Sequence, residues 1–272
     1  MSAIYFCSFA DLNYQKSLKR IGKQAKEIGV FSDIFLYNEN NLPEYAFKRC
    51  LAIIEQSGTR KGFGYYSWKP AVILDVLKKI NYSDILIYTD AGSHINSKGK
   101  EKLFQYIEQT KKNDILITQL TPDYNDYKYT KMDTIEMFKK KLPNTEILKT
   151  GQIQGGNVFL LKNDYTLSLI EQYDKMMSVE NIHFFDDSES QKPNYCDFVE
   201  NRHDQSIFSL LLKCNHYGVI QGEFYAPNEE GWIQLEKTEP ILNKRDKEFK
   251  QYLKFKDKLA LLYRKVKTFF KK

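Results

Sequence analysis

An aspartate stands at the end of an apolar run in the first third of the chain. The run Asp84-Ile-Leu-Ile-Tyr-Thr is followed by Asp90, Ala91 and Gly92. Such a run is typical of a strand buried on both faces of a sheet, and open α/β sheets bind ligands at the carboxyl ends of their strands. A carboxylate there could hold a divalent cation through its oxygens. The alternative is that Asp90 only caps the next turn.

A second candidate is a loop rich in glycine and aromatic residues. It begins at Arg60 and reads Gly62-Phe-Gly64-Tyr-Tyr66-Ser-Trp68-Lys69-Pro70. A ring can stack on a nucleotide base, and a lysine or a helix N-terminus can meet a phosphate, so the loop suits a nucleotide pocket. The spacings of a Walker A loop and of a Rossmann fingerprint are both absent. The alternative is an aromatic loop packed into the core.

A third candidate opens a predicted helix with the sequence Arg202-His203-Asp204-Gln205-Ser206. His203 or Asp204 could act as a general base or as a second metal ligand. An aspartate near the start of a helix is also a common cap, so a purely structural role stays open for Asp204.

The elements that must position these residues alternate along the chain. Predicted strands are Ala3–Phe9, Val30–Tyr37, Asp84–Thr89, Ile115–Gln119 and Gly155–Leu161. Predicted helices are Leu12–Ile28, Pro43–Ser57, Ala71–Ile80, Lys98–Lys111, Met132–Lys141, Asp164–Met177 and Asp204–Lys213. This order favours an α/β sandwich with a mainly parallel central sheet. The polar segment Val179–Asn201 is long for a loop and is a candidate lid or acceptor loop.

The basic charge of the chain is concentrated at its end. Residues 244–272 carry 12 Lys/Arg and 3 Asp/Glu, a net +9, so residues 1–243 sum to −3 out of the total of +6. We therefore expect one domain over 1–243 and a basic amphipathic helix over 244–272. That helix could bind an anionic membrane surface or pack its apolar stripe on the domain. Charge confined to the tail, without a recognisable motif, argues against nucleic acid as a partner.

The compartment expected from the sequence is the cytoplasm, with a possible peripheral site on the inner face of the cytoplasmic membrane. The start of the chain lacks the basic region of a signal peptide, and its four cysteines show no CxxC pairing. Unpaired cysteines of this kind are typical of reduced thiols in the cytoplasm.

Four segments together resemble bacterial GT-A-type glycosyltransferases of surface polysaccharide and lipooligosaccharide biosynthesis. They are the Tyr-Tyr-Ser-Trp-Lys-Pro70 loop, Asp90-Ala-Gly92 after its strand, Gln154-Gly-Gly-Asn157-Val-Phe-Leu-Leu, and Arg202-His-Asp-Gln-Ser-Ile-Phe-Ser-Leu. The resemblance covers residues 3–220 and extends distantly to glycogenin and lipooligosaccharide galactosyltransferases. It implies a GT-A-like, Rossmann-like nucleotide-binding fold with a mixed, mainly parallel sheet flanked by helices. The implied activity moves a sugar from a nucleotide-sugar donor, with UDP-hexose as the default, to a saccharide or lipid-linked glycan.

The resemblance also implies a set of site residues. Donor-site residues would be Arg60, Tyr66, Trp68, Lys69, Asp90, Ala91 and Gly92; acceptor or sugar contacts would be Gln154, Gly155, Gly156, Asn157 and Gln205; Asp204, with His203, would be catalytic. Asp90 matches the first aspartate of a metal-binding Asp-x-Asp, and Gly92 replaces the second. A divalent cation, Mn²⁺ or Mg²⁺, would need His203, His216 or Asp204 to complete its shell, or Lys69 and Arg60 could replace it. A nucleotide-sugar-binding relative without catalysis is the alternative, and a nucleic-acid-binding protein is a more distant one.

Overall fold

A strand, a helix and a second strand open the fold in the order that the sequence predicts. In the computed structural model, which describes residues 2–220 and 224–245, the side chain of Asp11 accepts a hydrogen bond from the backbone N–H of Asn13 and caps the turn before the first helix. That helix ends at Gly29, which has φ 63°. Glycine adopts this left-handed conformation without a steric penalty, so the chain can turn sharply into the second strand.

Eight strands are described in residues 2–220 and 224–245. They are β1 Ile4–Phe9, β2 Asp33–Tyr37, β3 Ile85–Thr89, β4 His94–Ile95, β5 Ile115–Gln119, β6 Ile153–Leu161, β7 Gly218–Val219 and β8 Ile241–Leu242. The main sheet has the order β2-β1-β3-β6-β5-β7, while β4 and β8 form a separate pair. Only β6 runs antiparallel to its neighbours in the main sheet. The prediction of a mixed, mainly parallel sheet is confirmed.

Helices cover both faces of this sheet. The α-helices are α1 Gln15–Ile28, α2 Glu44–Ser57, α3 Gly62–Tyr65, α4 Trp68–Lys79, α5 Lys100–Asn113, α6 Asp126–Tyr129, α7 Met132–Phe138, α8 Asp164–Met176, α9 Asp204–Lys213 and α10 Glu229–Thr238. Short 3₁₀ helices lie at Leu12–Tyr14, Ser97–Gly99, Pro122–Tyr124, Thr145–Lys149 and Ile182–Phe184.

Strand β3 shows that both faces of the main sheet are covered by helices. Its even-numbered residues Leu86 and Tyr88 join a core cluster with residues of α2, α4, α8 and α9. Its odd-numbered residues Ile85 and Ile87 join a second cluster with α1 and α5. Successive strand side chains point to opposite faces, so a strand apolar at every position must be covered on both. The result is a three-layer α/β sandwich.

The structure differs from the predicted elements in several places. Helix α4 begins at Trp68 rather than Ala71, so Trp68, Lys69 and Pro70 form its first turn. Helices α3, α6 and α10, strand β7 and the β4–β8 pair were not predicted. The helix expected over 244–272 lies almost entirely outside the described residues. In the part of the chain that is described, no helix combines the length and apolar character needed to cross a membrane.

Candidate active site

The carboxylate of Asp90 is held at Oδ1, and its side chain is about half exposed. The residue directly follows β3, and its N–H donates to the carbonyl of Gly156 at 2.9 Å. The hydroxyl of Tyr88 donates to Asp90 Oδ1 at 2.6 Å, and the Asp90 side chain remains 45% exposed. Burial first, and the Asp90 charge next, raise the pKa of Tyr88 well above its ordinary value, so this phenol stays protonated. Asp90 is therefore fixed in position yet reachable.

The ammonium of Lys69 lies between two carboxylates. Its Nζ is 2.6 Å from Asp204 Oδ2 and 3.5 Å from Asp90 Oδ1, and only 5% of the Lys69 side chain is exposed. The rings of Tyr66 and Tyr88 lie 5.7 and 5.6 Å from the same nitrogen, which adds cation–π attraction. Burial lowers the pKa of Lys69, but Asp204 and Asp90 raise it further, to a value above its ordinary one. Lys69 is therefore a permanent buried cation.

Asp204 opens helix α9 and is buried, with 6% of its side chain exposed. The hydroxyl of Tyr173 donates to its backbone carbonyl at 3.2 Å and reaches Oδ2 at 3.4 Å. Burial raises the pKa of Asp204, and the Lys69 ammonium opposes that rise. Asp204 is thus the inner partner of Lys69, and Asp90 is the outer one.

His203 precedes Asp204 in a strained conformation, with φ 53° and ψ −123°. Its Nδ1 donates to the carbonyl of Phe185 at 2.8 Å, and its Nε2 lies 3.7 Å from Asp187 Oδ1. Strain of this kind costs about 1–3 kcal/mol and persists only where surrounding contacts impose it. Both ring nitrogens point to the loop before α9, so His203 orders that loop rather than facing Asp90.

Two glycines of β6 leave space beside the carboxylates. A Cβ on Gly155 would stand 3.4 Å from Asp204 Oδ2 and 3.5 Å from Lys69 Nζ, and a Cβ on Gly156 would stand 3.1 Å from Asp90 Oδ2. The first two distances are ordinary contacts, whereas the third is tight. The glycine pair therefore lets the backbone approach the charged groups closely.

We expect Gly156→Ala to lower the turnover rate about tenfold, because the new methyl group must push the Asp90 carboxylate aside and small displacements of a reacting group are costly. Gly155→Ala is the matched control, since its methyl group meets Asp204 and Lys69 at ordinary contact distance. Steady-state kinetics of both variants test this. Equal losses in the two would contradict a specific role for the Gly156–Asp90 contact.

On the opposite face of the sheet, a short C-terminal segment anchors the turn after Asp90. The Oδ1 of Asn243 accepts from Ser93 Oγ at 2.8 Å and from Asn157 Nδ2 at 3.0 Å. The Cα of Arg245 lies 3.8 Å from the position that a Cβ on Gly92 would take. Asn157 is therefore linked through Asn243 to Ser93 in the turn after Asp90, a connection between residues far apart in sequence.

Two expected donor-site residues are engaged elsewhere. The Trp68 ring stacks on Phe9 with centroids 3.8 Å apart, and its Nε1 donates to the carbonyl of Gly62 at 2.9 Å. The guanidinium of Arg60 binds Glu39 at 3.0 and 3.1 Å. The structure thus gives Trp68 a packing role and Arg60 an ion pair, while Tyr66 and Lys69 of the same loop lie at Asp90 and Asp204.

Three further residues that the sequence singled out make hydrogen bonds within the protein. The carbonyl of Ala91 accepts from Arg20 at 2.8 Å. Gln154 Oε1 accepts from Thr118 at 2.7 Å, and Gln205 Oε1 accepts from the N–H of Gly155 at 3.4 Å.

His216 lies beyond the C-terminal end of α9, where its carbonyl accepts from Tyr165. Helix α9 spans Asp204–Lys213, so it is about 15 Å long, and His216 lies at the end of the helix opposite to Asp204. The structure therefore does not bring His216 to the carboxylates.

The residues present do not fit a divalent cation. Among the residues described in the structure, no group of three or more His, Cys, Asp and Glu side chains could hold a metal ion. The space between Asp90 and Asp204 is taken by the Lys69 ammonium, and Gly92 offers no carboxylate.

The loop Val179–Asn201 is fastened to the body by Asp133. This carboxylate accepts from the N–H groups of Gln191 at 2.6 Å and Lys192 at 3.1 Å, and from His183 Nε2 at 2.6 Å. Burial raises the pKa of Asp133, but these hydrogen bonds lower it further, to a net value below the ordinary one. The segment Val179–Asn201, the candidate lid or acceptor loop, is therefore held against the rest of the protein by Asp133.

We expect Asp133→Asn to release this loop, lowering its local stability by about 1–3 kcal/mol because charged hydrogen bonds are lost. Amide hydrogen exchange at Gln191 and Lys192 measures the effect, with Asp197→Asn, on an exposed part of the same loop, as the control. Because the folded pKa of Asp133 is lowered, the stabilisation is present above the ordinary carboxyl value of about 3.9 and is lost as the pH falls through the folded pKa. Unchanged exchange in Asp133→Asn would refute the fastening.

No protein-family model and no curated protein sequence matches the chain. Solved structures similar to it include a glycosyltransferase involved in glycosylation of the major capsid of PBCV-1, with 11% identity, TM-score 0.46 and coverage of 88% of this chain and 93% of that chain. Another is the glycosyltransferase GlyE in Streptococcus pneumoniae, with 11% identity, TM-score 0.47 and coverage of 97% and 60%. The galactosyltransferase LgtC with donor and acceptor sugar analogs shows 14% identity, TM-score 0.42 and coverage of 91% and 84%. The solved structures to which the chain is similar are thus described as glycosyltransferases, the class of protein that the motif resemblance implies.

Proposed function

We propose that this protein transfers a sugar from a nucleotide-sugar donor, with UDP-hexose as the first candidate, to a hydroxyl of a saccharide or lipid-linked glycan. One observation carries the proposal. The half-exposed carboxylate of Asp90 follows a buried parallel strand and is backed by the buried Lys69–Asp204 ion pair. The motif resemblance supports the same activity, and it alone suggests bacterial surface polysaccharide as the product.

The charges of Asp90, Asp204 and Lys69 suit the transfer of a sugar. Two carboxylates and one ammonium leave a net charge of −1, and the accessible part of it is on Asp90. Glycosyl transfer passes through an oxocarbenium-like transition state, in which positive charge develops on the donor sugar. A fixed carboxylate beside that sugar would stabilise the transition state more than the ground state, which is the requirement for catalysis.

The geometry favours Asp90 over Asp204 as the group that meets the substrate. A general base must come within hydrogen-bond reach of the hydroxyl that it deprotonates. Asp204 is buried and 2.6 Å from Lys69, so it acts in this proposal as a positioning residue that holds the ammonium in place. This assignment differs from the sequence-based one, in which Asp204 was the base.

A panel of nucleotide sugars, followed by release of the nucleoside diphosphate with and without acceptor and manganese, tests the proposal. Release from at least one donor supports it, and faster release with a saccharide acceptor identifies transfer. Tight binding of a nucleotide sugar without release in any condition would instead favour a non-catalytic binding protein, a reading consistent with Gly92 in the place of a second aspartate. Absence of both binding and release across the panel would overturn the proposal.

The cellular setting is part of the same proposal. We place the protein in the cytoplasm, with residues 244–272 as a contact to the inner face of the membrane, because a basic segment with interspersed apolar residues suits an anionic surface. Residues 246–272 lie outside the described residues, so the support is their sequence alone. Liposome flotation of the full chain and of a chain ending at residue 243 tests it, and equal binding by both would contradict it.

A further inference from the structure

We infer that the Lys69 ammonium takes the place of a divalent cation in this site, so that donor binding does not depend on divalent metal. The inference rests on the proposed function for the identity of the ligand.

The position of the ammonium excludes a metal ion between the same carboxylates. Divalent cations bind carboxylate oxygens at about 2.0–2.6 Å, and the Lys69 nitrogen is already 2.6 Å from Asp204 and 3.5 Å from Asp90. A second positive centre at these oxygens would lie within a few ångströms of the first and be repelled by it. Asp204 is buried, so Asp90 is the accessible carboxylate of the two, and a single half-exposed carboxylate is a poor ligand set.

The fold holds the ammonium where it is. Lys69 lies in the first turn of α4, and the rings of Tyr66 and Tyr88 lie within 5.7 Å of its nitrogen. To admit a metal, this charge would have to leave its buried carboxylate partner, and separating a buried pair is strongly unfavourable.

The imidazole that could have completed a metal shell is also committed elsewhere. His203 donates from Nδ1 to the carbonyl of Phe185 and directs Nε2 toward Asp187. Neither ring nitrogen is therefore available to a metal at Asp90 without a rearrangement of the loop before α9.

The first test uses the unmodified protein. Calorimetry with UDP is run in EDTA and again in excess MnCl₂. The inference expects dissociation constants that agree within about twofold, since metal neither adds nor removes a contact. Weakening in EDTA by about tenfold or more, equivalent to about 1.4 kcal/mol, would overturn it.

The second test reads metal binding directly and needs no activity. Electron paramagnetic resonance of Mn²⁺ is expected to show no specific binding to the wild type and a gain of specific binding in Lys69→Met, because the two carboxylates then face each other with no cation between them. The gain should disappear in Lys69→Met combined with Asp90→Asn. Lys61→Met is the matched control, since Lys61 pairs with the single exposed carboxylate of Asp187.

The outcomes separate the inference from the proposed function. Specific Mn²⁺ binding to the wild type that Asp90→Asn abolishes overturns the inference and leaves glycosyl transfer standing. If no nucleotide sugar binds with or without metal, the proposed function fails, and the resonance measurement still decides the role of Lys69. If Lys69→Met does not fold, the wild-type calorimetry and resonance decide it alone.

Discussion

Asp90→Asn is expected to reduce sugar transfer about 10²–10³-fold, the size of effect seen when one preorganised group that stabilises transition-state charge is removed from a site. The substitution keeps the shape of the side chain and can still accept from the hydroxyl of Tyr88, but it removes the accessible negative charge. The Lys69–Asp204 pair stays intact, so the free energy of unfolding should change little. Initial rates of nucleoside diphosphate release, together with a urea titration, measure the two quantities.

Asp33→Asn is the matched control for this experiment. Asp33 is an exposed aspartate at the start of β2, at the opposite end of the sheet's parallel strands from Asp90. It should leave both transfer and stability unchanged. Turnover close to wild type in Asp90→Asn would remove Asp90 from the proposed mechanism.

Lys69→Met is expected to lower the free energy of unfolding by about 3–5 kcal/mol, because it leaves Asp204 buried without its counter-ion. Asp204→Asn in the same chain should recover most of this loss, since the unpaired charge is then gone. A urea-denaturation cycle of the wild type, the two single variants and the double variant measures the coupling between them.

The pH dependence of the stability of Lys69→Met is an independent check that the loss comes from the unpaired Asp204 carboxylate. Without Lys69, burial acts unopposed on Asp204, so its folded pKa lies above the unfolded value. The destabilisation is therefore full at pH values above that folded pKa and shrinks as the pH falls through it. Lys61→Met breaks a pair in which both side chains are about half exposed, and it should cost less than about 1 kcal/mol. A double variant no more stable than Lys69→Met would show that the loss comes from packing rather than charge.

Local sequence patterns predicted most of the fold because each depends on nearby residues. The apolar run before Asp90 predicted strand β3, and the predicted helix Leu12–Ile28 is found as a short 3₁₀ turn followed by α1. Strand direction could not be predicted in this way, because an apolar run does not show whether a strand lies parallel or antiparallel to its neighbours. The antiparallel course of β6 is set by its connection from β5 and the packing of its neighbours, so sequence periodicity could not reveal it.

The residues of the candidate site could be predicted from the sequence, but the contacts between them could not. The sequence singled out Asp90, Lys69 and Asp204 separately, but the pairing of Lys69 with Asp204 joins residues 135 positions apart (204 minus 69) and depends on how α4 and α9 pack. Trp68 was expected beside a nucleotide because its loop is rich in aromatics, yet an indole can stack equally well on Phe9 in the core. His216, in contrast, could have been set aside from sequence alone, because a predicted helix of ten residues separates it from Asp204.

The position of Arg245 near Gly92 fixes where the basic tail is attached. Residue 246 is bonded to Arg245, whose Cα lies beside the turn that follows Asp90, so the tail starts near that turn. A ligand bound by one part of a chain is held near the other sites of that chain at an effective concentration above its bulk one. A glycan carrier or lipid surface that binds residues 246–272 would therefore be presented to Asp90 at far more than its bulk concentration, and weak affinity for an isolated acceptor would be compatible with efficient transfer.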